Sequence, residues 1–469
     1  MSMEDVLFVE HNSSHVVQYR KKEPLRIERV IPSSTISSSI YASIINFFQE
    51  VLLPHGYPDS VSSDYFEYQI WDTLQAFCST ITGSFTTRAI LKGVGVGDAE
   101  ASALSATITW ILKDGSGMIG RILFAWWKGS KLDCDSKKWR LFADFLNDVA
   151  MAIELVVPYF SNKSMQILCI TSTMKSIVGI AGGATRASIT HHQAIKGNMA
   201  EISAKDGTQE TLVNLIASLT SIYLLGIILD PIFEYSFIFL MMILHLYFNY
   251  KAVTSLIFNN LNEPRMILLM KSYCNINTVS RPIQINQEES VILGTGLKIS
   301  DICGFNIRLG SSLFECIRLY NFTEMEQLLE LYRDDPYLIM SDIEKRCIYI
   351  AFEKNCDTQN ILKSYFHAVM LALGTCIYNN LSIDIGVKRQ RKYSNPIARL
   401  TSFMNSIQKQ TEHLSNMRIA ELKLFKNFVG PEINMFLTSL HVSGWDMNVH
   451  SFCLDQWRIV MKPYSGKNK

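Results

Sequence analysis

Charged side chains in two neighbouring apolar segments could together bind a polar solute. Segment 141–160 has one polar helical face, because polar residues recur there every three or four positions. Its members are Asp144, Asn147 and Glu154, with Met151 between them. Lys175 lies midway along the next apolar segment, 165–185. Charges at membrane depth are costly unless they are paired or face water. We therefore predict a Glu154–Lys175 pair that lines a polar cavity; a pair that only fixes helix register is the alternative.

The most polar stretch between two apolar segments covers residues 191–210. Glu201 and Lys205 have the i,i+4 spacing of a favourable helical ion pair. Asp206 and Gln209 resemble a capping box, which predicts that a new helix begins there. The two histidines that open the stretch are adjacent and would point about 100° apart on a helix. We therefore expect no metal site.

Residues 115–120 have the form G-x-G-x-x-G, which occurs in dinucleotide sites. Such a site needs a strand before the glycines and an acidic residue about 20 positions later. Here the preceding residues, 101–112, are typical of a helix, and the nearest later acids are Asp133 and Asp135. We expect a glycine break between two packed membrane half-helices instead. The sequence contains no G-x-S-x-G, P-loop or H-E-x-x-H motif, so we expect neither catalysis nor a cofactor.

Composition narrows the class of protein. The 469 residues include 44 Lys+Arg and 43 Asp+Glu, a net charge of +1, so a nucleic-acid binder driven by bulk positive charge is excluded. Hydrophobic residues make up 48% of the chain, which excludes a disordered protein. The ten cysteines are scattered without a C-x-x-C motif, which is typical of reduced thiols and argues against a zinc site.

Charge is scarce in the middle of the chain. Thr211 to Leu229 and Tyr235 to Tyr250 are free of charged residues, and Asp230-Pro231 between them is a turn signal. About 20 apolar residues suffice for a membrane helix, so a helical hairpin is expected. Four weaker candidates precede it, at 62–87, 94–127, 141–160 and 165–185. We predict about six spans; the alternative is buried core helices in a soluble protein.

The distribution of basic residues predicts the orientation of these spans. Six crossings that start inside give inner loops at 128–140, 186–210 and 251–271, which hold 11 Lys and Arg residues. The outer loops hold only Arg88, Lys92 and Lys163. Cytoplasmic loops carry the basic excess, so both termini are expected on the cytoplasmic side.

The regions outside the spans suggest a domain plan. The acidic start of the chain argues against a signal or transit peptide. We expect a flexible arm at 1–40, a helical membrane domain at 41–271, a linker at 272–290 and a cytosolic C-terminal domain at 291–469. That last domain is expected to be soluble and α-rich or α+β. It should contain a long helix from Ile397 to Phe428 that ends before Gly430-Pro431.

Several long runs resemble the root UV-B-sensitive (RUS) family. They are GYPDSVSSDYFEYQIWDTLQAF (56–77), GVGVGDAEASALSATITWILKDGSGMIGRILFAWWKGSKLD (93–133), KWRLFADFLND (138–148) and GATRASITHHQAIKGNMAEISAKDGTQETLVNL (183–215). A weaker similarity occurs at Gly444-Trp445 and Trp457-Arg458. The resemblance implies a membrane-associated protein whose plant relatives are linked with vitamin B6 status and auxin distribution. Those relatives are plastid-associated, but this compartment is not carried over. The family supplies no catalytic residues to carry over.

Together these patterns predict an all-α polytopic membrane domain that binds or moves a small polar solute. The partners expected are the lipid bilayer, the solute, and hetero- or homo-oligomers with other RUS-family proteins; the organelle is not predicted. A non-catalytic membrane scaffold that recruits partner proteins is the alternative. The expected polar site consists of Lys113, Asp114, Asp144, Asn147, Asp148, Glu154, Lys175, Arg186, His192, Gln193, Asn198, Glu201, Lys205, Asp206 and Glu210.

Overall fold

The structure, which is a computed structural model, divides the chain into two units. It describes residues 6–11, 16–22, 26–30, 40–95, 103–381, 395–407 and 415–461. The first unit is Met1–Leu132 with Ser136–Leu256, and the second is Asp133–Asp135 with Ile257–Lys469. The boundary therefore lies ahead of the predicted linker 272–290.

A small antiparallel sheet forms near the N-terminus, where the sequence predicted a flexible arm. β1 (Val6–His11), β2 (Val16–Lys22) and β3 (Arg26–Val30) pair in that order. β-branched and aromatic residues such as Val17 and Tyr19 favour extended backbone. These strands lie within the predicted flexible arm at 1–40, and the rest of the arm up to residue 39 lies outside the described residues.

Long helices build the rest of the described part of the first unit. They are α1 (Ile40–Leu52), α2 (Tyr65–Gly93), α3 (Ala103–Lys128), α4 (Ser136–Leu155), α5 (Ser164–Gln193), α6 (Met199–Ile227) and α7 (Pro231–Ser255). The most extensive packing joins α2 to α7, and α5 to both α3 and α4. These helices carry the residues of the predicted polar site.

Several polar side chains are buried in this unit beside its apolar clusters, while many large apolar side chains are exposed on its outside. On α6 and α7, Ile222 and Phe239 are 69% and 65% exposed, whereas His245 and Asn249 are fully buried. Soluble proteins rarely expose large contiguous apolar surfaces. Ionisable groups that face the interior of a bundle are the usual arrangement in lipid. The surface of the unit therefore suggests a membrane association.

Four of the described helices are long and apolar enough to cross a membrane. Three are α5, α6 and α7; the fourth, Thr358–Tyr378, lies in the second unit, where 89% of its apolar window is buried. The apolar composition of this fourth helix is explained by its burial in the core of the second unit. The predicted number of about six spans is not confirmed.

The turn predicted between the two uncharged segments is confirmed. Asp230 caps α7 because its carboxylate accepts a hydrogen bond from the Phe233 backbone N at 2.8 Å, and Pro231 occupies the first helical turn. The predicted helix start at Asp206 is wrong. α6 already begins at Met199, and the Asp206 carboxylate binds a side chain of α5 instead of capping a helix.

The predicted break at the G-x-G-x-x-G motif is also wrong, because α3 runs through it without interruption. A methyl group added at Gly117 would lie 2.6 Å from Ser172 Oγ, and one added at Gly120 would lie 2.6 Å from Thr173 Cγ2. These glycines therefore let α3 approach α5 closely, as small residues do between membrane helices.

The second unit combines helices with a sheet, which confirms the prediction of a mixed C-terminal region. Its helices are α8 (Glu263–Ile276), α9 (Pro282–Glu288), α10 (Ile299–Cys303), α11 (Phe322–Leu331), α12 (Thr358–Tyr378), α13 (Pro396–Ser406) and α14 (Ile419–Val442). Its strands are β4 (Asn306–Leu309), β5 (Tyr337–Asp342), β6 (Cys347–Glu353) and β7 (Arg458–Ile459). β6 pairs in parallel with β4 and β7 and antiparallel with β5. α12 lies in the core of this unit.

The single long helix predicted from Ile397 to Phe428 is wrong: α13 begins at Pro396, close to the predicted start, but two separate helices occupy this part of the chain. Helix α13 ends at Ser406, and α14 continues past Gly430-Pro431 to Val442. Proline inside a helix removes one backbone hydrogen bond, but α14 is held on both sides of Pro431 by buried side chains such as Val429 and Ile433. Tertiary burial therefore outweighs the local helix-breaking signal.

Candidate functional site

The predicted pair between α4 and α5 is confirmed. Lys175 Nζ lies 2.5 Å from Glu154 Oε2, and the Glu154 side chain is only 1% exposed. The Lys175 side chain is 36% exposed, so its other face reaches an open cleft. A buried carboxylate of this kind requires a cationic partner, and Lys175 supplies it.

The cleft beside this pair has a volume of about 440 Å³ and lies between α2, α3, α4 and α5. Its charged lining consists of Lys113, Arg121, Lys175 and Glu154. Hydroxyl and aromatic groups complete it, among them Ser172, Ser176, Thr87 and Trp110. The three cations and one carboxylate give the lining a formal charge of +3 − 1 = +2.

Close packing between α3 and α5 positions the cationic side chains. Ser116 Oγ donates a hydrogen bond to Cys169 O at 3.1 Å, and Thr173 Oγ1 donates one to Ser116 O at 3.3 Å. These bonds fix α3 against α5. The Lys113 ammonium lies 4.6 Å from the centre of the Trp110 ring, a cation–π distance. Two cations of α3 thus face Lys175 of α5 across the cleft.

A second polar cluster connects α2, α4 and α7, and we call it the buried network. Gln75 Nε2 donates to Asp144 Oδ2 at 3.0 Å, and Asn249 Nδ2 donates to the same oxygen at 2.6 Å. Asp148 Oδ2 lies 2.8 Å from His245 Nδ1. Two residues of the predicted site, Asp144 and Asp148, therefore belong here and not to the cleft.

A third group of predicted residues lies on α5 and α6. Arg186 bridges Asp206 at 2.6 Å and Glu210 at 2.7 Å. His192 Nε2 donates to Asp64 Oδ2 at 2.9 Å. These contacts join the end of α5 to α6 and to the start of α2.

The predicted Glu201–Lys205 pair has other partners in the structure. Glu201 Oε1 accepts a hydrogen bond from the His55 backbone N at 2.6 Å, and Lys205 Nζ donates to the Glu50 carbonyl. Both residues line a shallow cleft of about 320 Å³ beside α1. They connect α6 to α1, which offers the acceptor Glu50 O, and to the segment after α1, which offers the donor His55 N.

The remaining predicted residues lie apart from these groups. Asp114 has a half-exposed side chain next to Lys113, and Asn147 is half-buried on α4. Gln193 accepts a hydrogen bond through its backbone O from Ser62 N, and Asn198 precedes α6. The predicted set is thus divided among several places, and only Lys113, Glu154 and Lys175 line the 440 Å³ cleft.

Sequence reasoning missed one charged residue of the cleft, Arg121, the uncharged residues of its lining and several residues of the buried network. Arg121 lies at an i+8 position from Lys113, a spacing that places both on one face of α3 and could have identified it. Gln75, His245 and Asn249 are uncharged in an apolar context, and no local pattern indicates that they meet. The i,i+4 spacing of His245 and Asn249 indicates only that these two share one face of α7.

Two family models match this chain, one after the other along its length. Residues 38–277 match a family model described as a vitamin B6 photo-protection and homoeostasis domain. Residues 278–461 match one described as root UVB sensitive protein, C-terminal. The chain belongs to the root UVB sensitive family. The resemblance found in the sequence is therefore confirmed.

Several curated relatives share this family. RUS family member 1 of Dictyostelium discoideum is 44% identical over 289 residues, which cover 61% of this chain and 53% of that protein. The chain thus spans about half the length of that relative. Protein root UVB sensitive 3 of Arabidopsis thaliana is 33% identical over 369 residues, covering 73% of this chain and 81% of that protein. Protein root UVB sensitive 5 of the same plant is 28% identical and covers 72% of this chain. No solved structure matches the chain.

Proposed function

We propose that the first unit lies in a membrane and binds a small polar anion in the cleft between α2, α3, α4 and α5. The observation that carries the proposal is the surplus of two positive charges among the residues that line the cleft. Glu154 pairs with Lys175, and Asp114, which is outside the lining, lies 3.5 Å from Lys113 Nζ, so Arg121 is the cation that would attract an anionic group most directly, with Lys113 beside it. Binding of the anion is a step that a membrane carrier would require, and transport is the activity that we infer from it.

The chemistry of the lining indicates what kind of anion would bind. Guanidinium and ammonium groups together recognise phosphate and carboxylate oxygens. Ser172 and Ser176 add hydroxyl donors, and Trp110 at the cleft offers an aromatic face. A phosphorylated compound with a small aromatic ring would use all three kinds of contact.

The family description gives a specific first compound to test. The matching domain is described by vitamin B6 photo-protection and homoeostasis. Phosphorylated B6 vitamers combine one pyridine ring with one phosphate group, which fits the contacts just described. Pyridoxine 5′-phosphate is the better probe than the aldehyde form, because an aldehyde would form imines with Lys113 or Lys175 regardless of a specific site.

The test is ligand-dependent stabilisation of the full chain purified in detergent. Thermal unfolding is followed with increasing pyridoxine 5′-phosphate, unphosphorylated pyridoxine, or inorganic phosphate. We expect saturable stabilisation by the phosphorylated vitamer, weaker stabilisation by phosphate and little by pyridoxine. Lys113→Met and Arg121→Met should each weaken binding about ten-fold or more, since a charge-assisted hydrogen bond contributes about 1.5–3 kcal/mol.

A matched control separates a site from a general charge effect. Lys163→Met removes the same charge from an exposed position between α4 and α5, outside the cleft lining. It should leave the binding curve unchanged. Equal weakening by all three variants, or no stabilisation of the wild-type chain by any of the compounds, would contradict the anion site. The scaffold hypothesis would then be favoured.

A further inference from the structure

The buried network of α2, α4 and α7 defines the protonation state of its histidine. Gln75 Nε2 carries two hydrogens and lies 3.0 Å from Asp144 Oδ2 and 2.8 Å from His245 Nε2. The Asp144 carboxylate can only accept, so the amide nitrogen of Gln75 must face it. The second hydrogen of that nitrogen then points to His245 Nε2, which must be an unprotonated acceptor.

This arrangement makes His245 a neutral imidazole that still has a proton to share. With Nε2 as acceptor, the ring proton is on Nδ1 and is donated to Asp148 Oδ2 at 2.8 Å. His245 is fully buried and Asp148 is 5% exposed. The pair is therefore shielded from water at the centre of the helical unit.

Charge is not balanced in this network. Its carboxylates are Asp72, Asp144 and Asp148, and its one cation is Arg140, which donates to Asp72 Oδ1 at 2.8 Å. With neutral His245 the formal charge is +1 − 3 = −2. Buried charges normally occur in compensated sets, because an uncompensated one loses its hydration without replacement.

Two acceptor atoms of the network also lack a donor. Asp148 Oδ1 and Asn249 Oδ1 are buried and make no hydrogen bond within the described part of the chain. Both residues are more than nine-tenths buried. A buried acceptor left without a donor is costly. Arg140 Nε, a donor, is also buried without a hydrogen bond in the described part of the chain. The unfilled atoms therefore include both donors and acceptors, whereas the surplus charge has one sign and is relieved by a positively charged ligand.

We propose that the buried network is a binding site for one proton, which is held by the Asp148–His245 pair. The proton adds to the lone pair of His245 Nε2, so the ring becomes an imidazolium and the formal charge of the network changes from −2 to −1. No other bond forms or breaks covalently. This site is separate from the anion cleft, and its test does not depend on anion binding.

Protonation would also change contacts between helices. An imidazolium donates from both nitrogens, so Nε2 can no longer accept from Gln75. The Gln75 carboxamide must turn to present its oxygen, and its hydrogen bond to Asp144 is then lost. Occupancy of the site thereby switches a link between α2 and α4, while the link between α4 and α7 becomes a salt bridge.

The surrounding titratable groups come from each packed helix. On α2 they are Tyr68, Asp72 and Cys78, the last of which lies near enough to Asp148 to interact with its charge. On α4 they are Arg140 and Asp144. On α6, Asp206 interacts with Asp72 and Arg140 and is paired with Arg186 of α5. His245 faces Asp148 and Asp144, and it also interacts with the charge of Arg140.

The test is infrared difference spectroscopy of the full chain in detergent, between about pH 5 and about pH 8, where histidine changes charge. Histidine is isotopically labelled so that its ring bands can be identified. We expect an imidazole-to-imidazolium signal in the wild-type chain that His245→Gln lacks and that His191→Gln, at an exposed position on α5, retains. Asp148→Asn should keep the signal but bind the proton at least ten-fold more weakly, since the carboxylate partner is gone.

The outcomes decide the proposal even if His245→Gln fails to fold. Asp148→Asn preserves shape and can still accept from Nδ1–H, and the wild-type chain can report alone through the nitrogen chemical shifts of its labelled histidines. Those shifts should show one buried histidine in the Nδ1–H form at high pH. Three results would overturn the proposal. They are a buried histidine in the Nε2–H form at high pH, an identical difference spectrum in wild type and His245→Gln, and the same infrared change produced by sodium at constant pH.

Discussion

The three glycines of residues 115–120 predict a ranked series of stabilities. A methyl group added at Gly115 would meet no described atom within 4 Å, whereas Gly117 and Gly120 both face α5. Replacing glycine by alanine inside a helix stabilises by about 0.5–1 kcal/mol when space permits. Gly115→Ala should therefore raise the free energy of unfolding by that amount.

The other two positions differ in how far their neighbours can yield. At Gly117 the added methyl group meets two serine hydroxyls, Ser172 Oγ and Ser176 Oγ, which can rotate away. At Gly120 it meets Thr173 Cγ2, whose side chain is fixed by a hydrogen bond from Oγ1 to Cys169 O at 3.0 Å. Overpacking costs about 1–3 kcal/mol. Gly120→Ala should be near the upper end, Gly117→Ala near the lower end, and Gly117→Val worse than Gly117→Ala.

The assay is thermal unfolding of the three alanine variants, purified in the same detergent. The expected order of melting temperatures is Gly115→Ala, wild type, Gly117→Ala, Gly120→Ala. A Gly120→Ala chain at least as stable as Gly115→Ala would refute the close approach of α3 and α5. Saturable binding of NAD or FAD to the wild-type chain would refute the helix-packing explanation of the motif.

Three further predictions concern an ion pair, a buried histidine and the topology. Glu154→Gln and Lys175→Met should each lower membrane accumulation. Each should cost less free energy than the roughly 3–5 kcal/mol of breaking a fully buried pair, because the Lys175 side chain is 36% exposed. The double variant should recover much of the accumulation, and strictly additive losses would show that the two residues are not coupled. Burial lowers the pKa of His367 in the second unit to about 3. Below about pH 6.5 the unfolded chain therefore binds more protons than the folded chain, and the free energy of unfolding decreases as the pH decreases. Hydrogen exchange of α12 should show a loss of about 2 kcal/mol between about pH 7 and about pH 5 that His367→Gln removes; a wild-type profile flat over that range would be evidence against it. A tag near Ser136 and one at the C-terminus should have the same protease accessibility, and protection of only one would exclude the predicted orientation.

Local sequence signals were reliable where one element determines its own structure. The hairpin at Asp230-Pro231 was predicted because a capping residue and a proline act within one turn. The Glu154–Lys175 contact was also predictable, because the two segments are consecutive and a short connection makes them antiparallel neighbours.

Predictions failed where contacts between distant segments decide the outcome. Gln75 and His245 are 170 positions apart, and their meeting depends on how α2 packs against α7. The same reason explains why α14 passes through Pro431, since its buried neighbours are supplied by other parts of the second unit. Asp206 resembled a helix cap because Gln209 follows it at capping-box spacing. Its actual partner, Arg186, lies on another helix, and no local pattern indicates that contact.

Carbonate extraction of membranes from cells that express the full chain tests the central claim most directly. The proposal that the first unit lies in a bilayer depends on the exposed apolar faces of α6 and α7 and on the polar groups buried beneath them. A chain held by spanning helices stays in the membrane pellet at alkaline pH, where peripheral proteins are released. We predict that the wild-type chain remains in the pellet and is released only by detergent. Its release into the supernatant by carbonate alone would contradict the account.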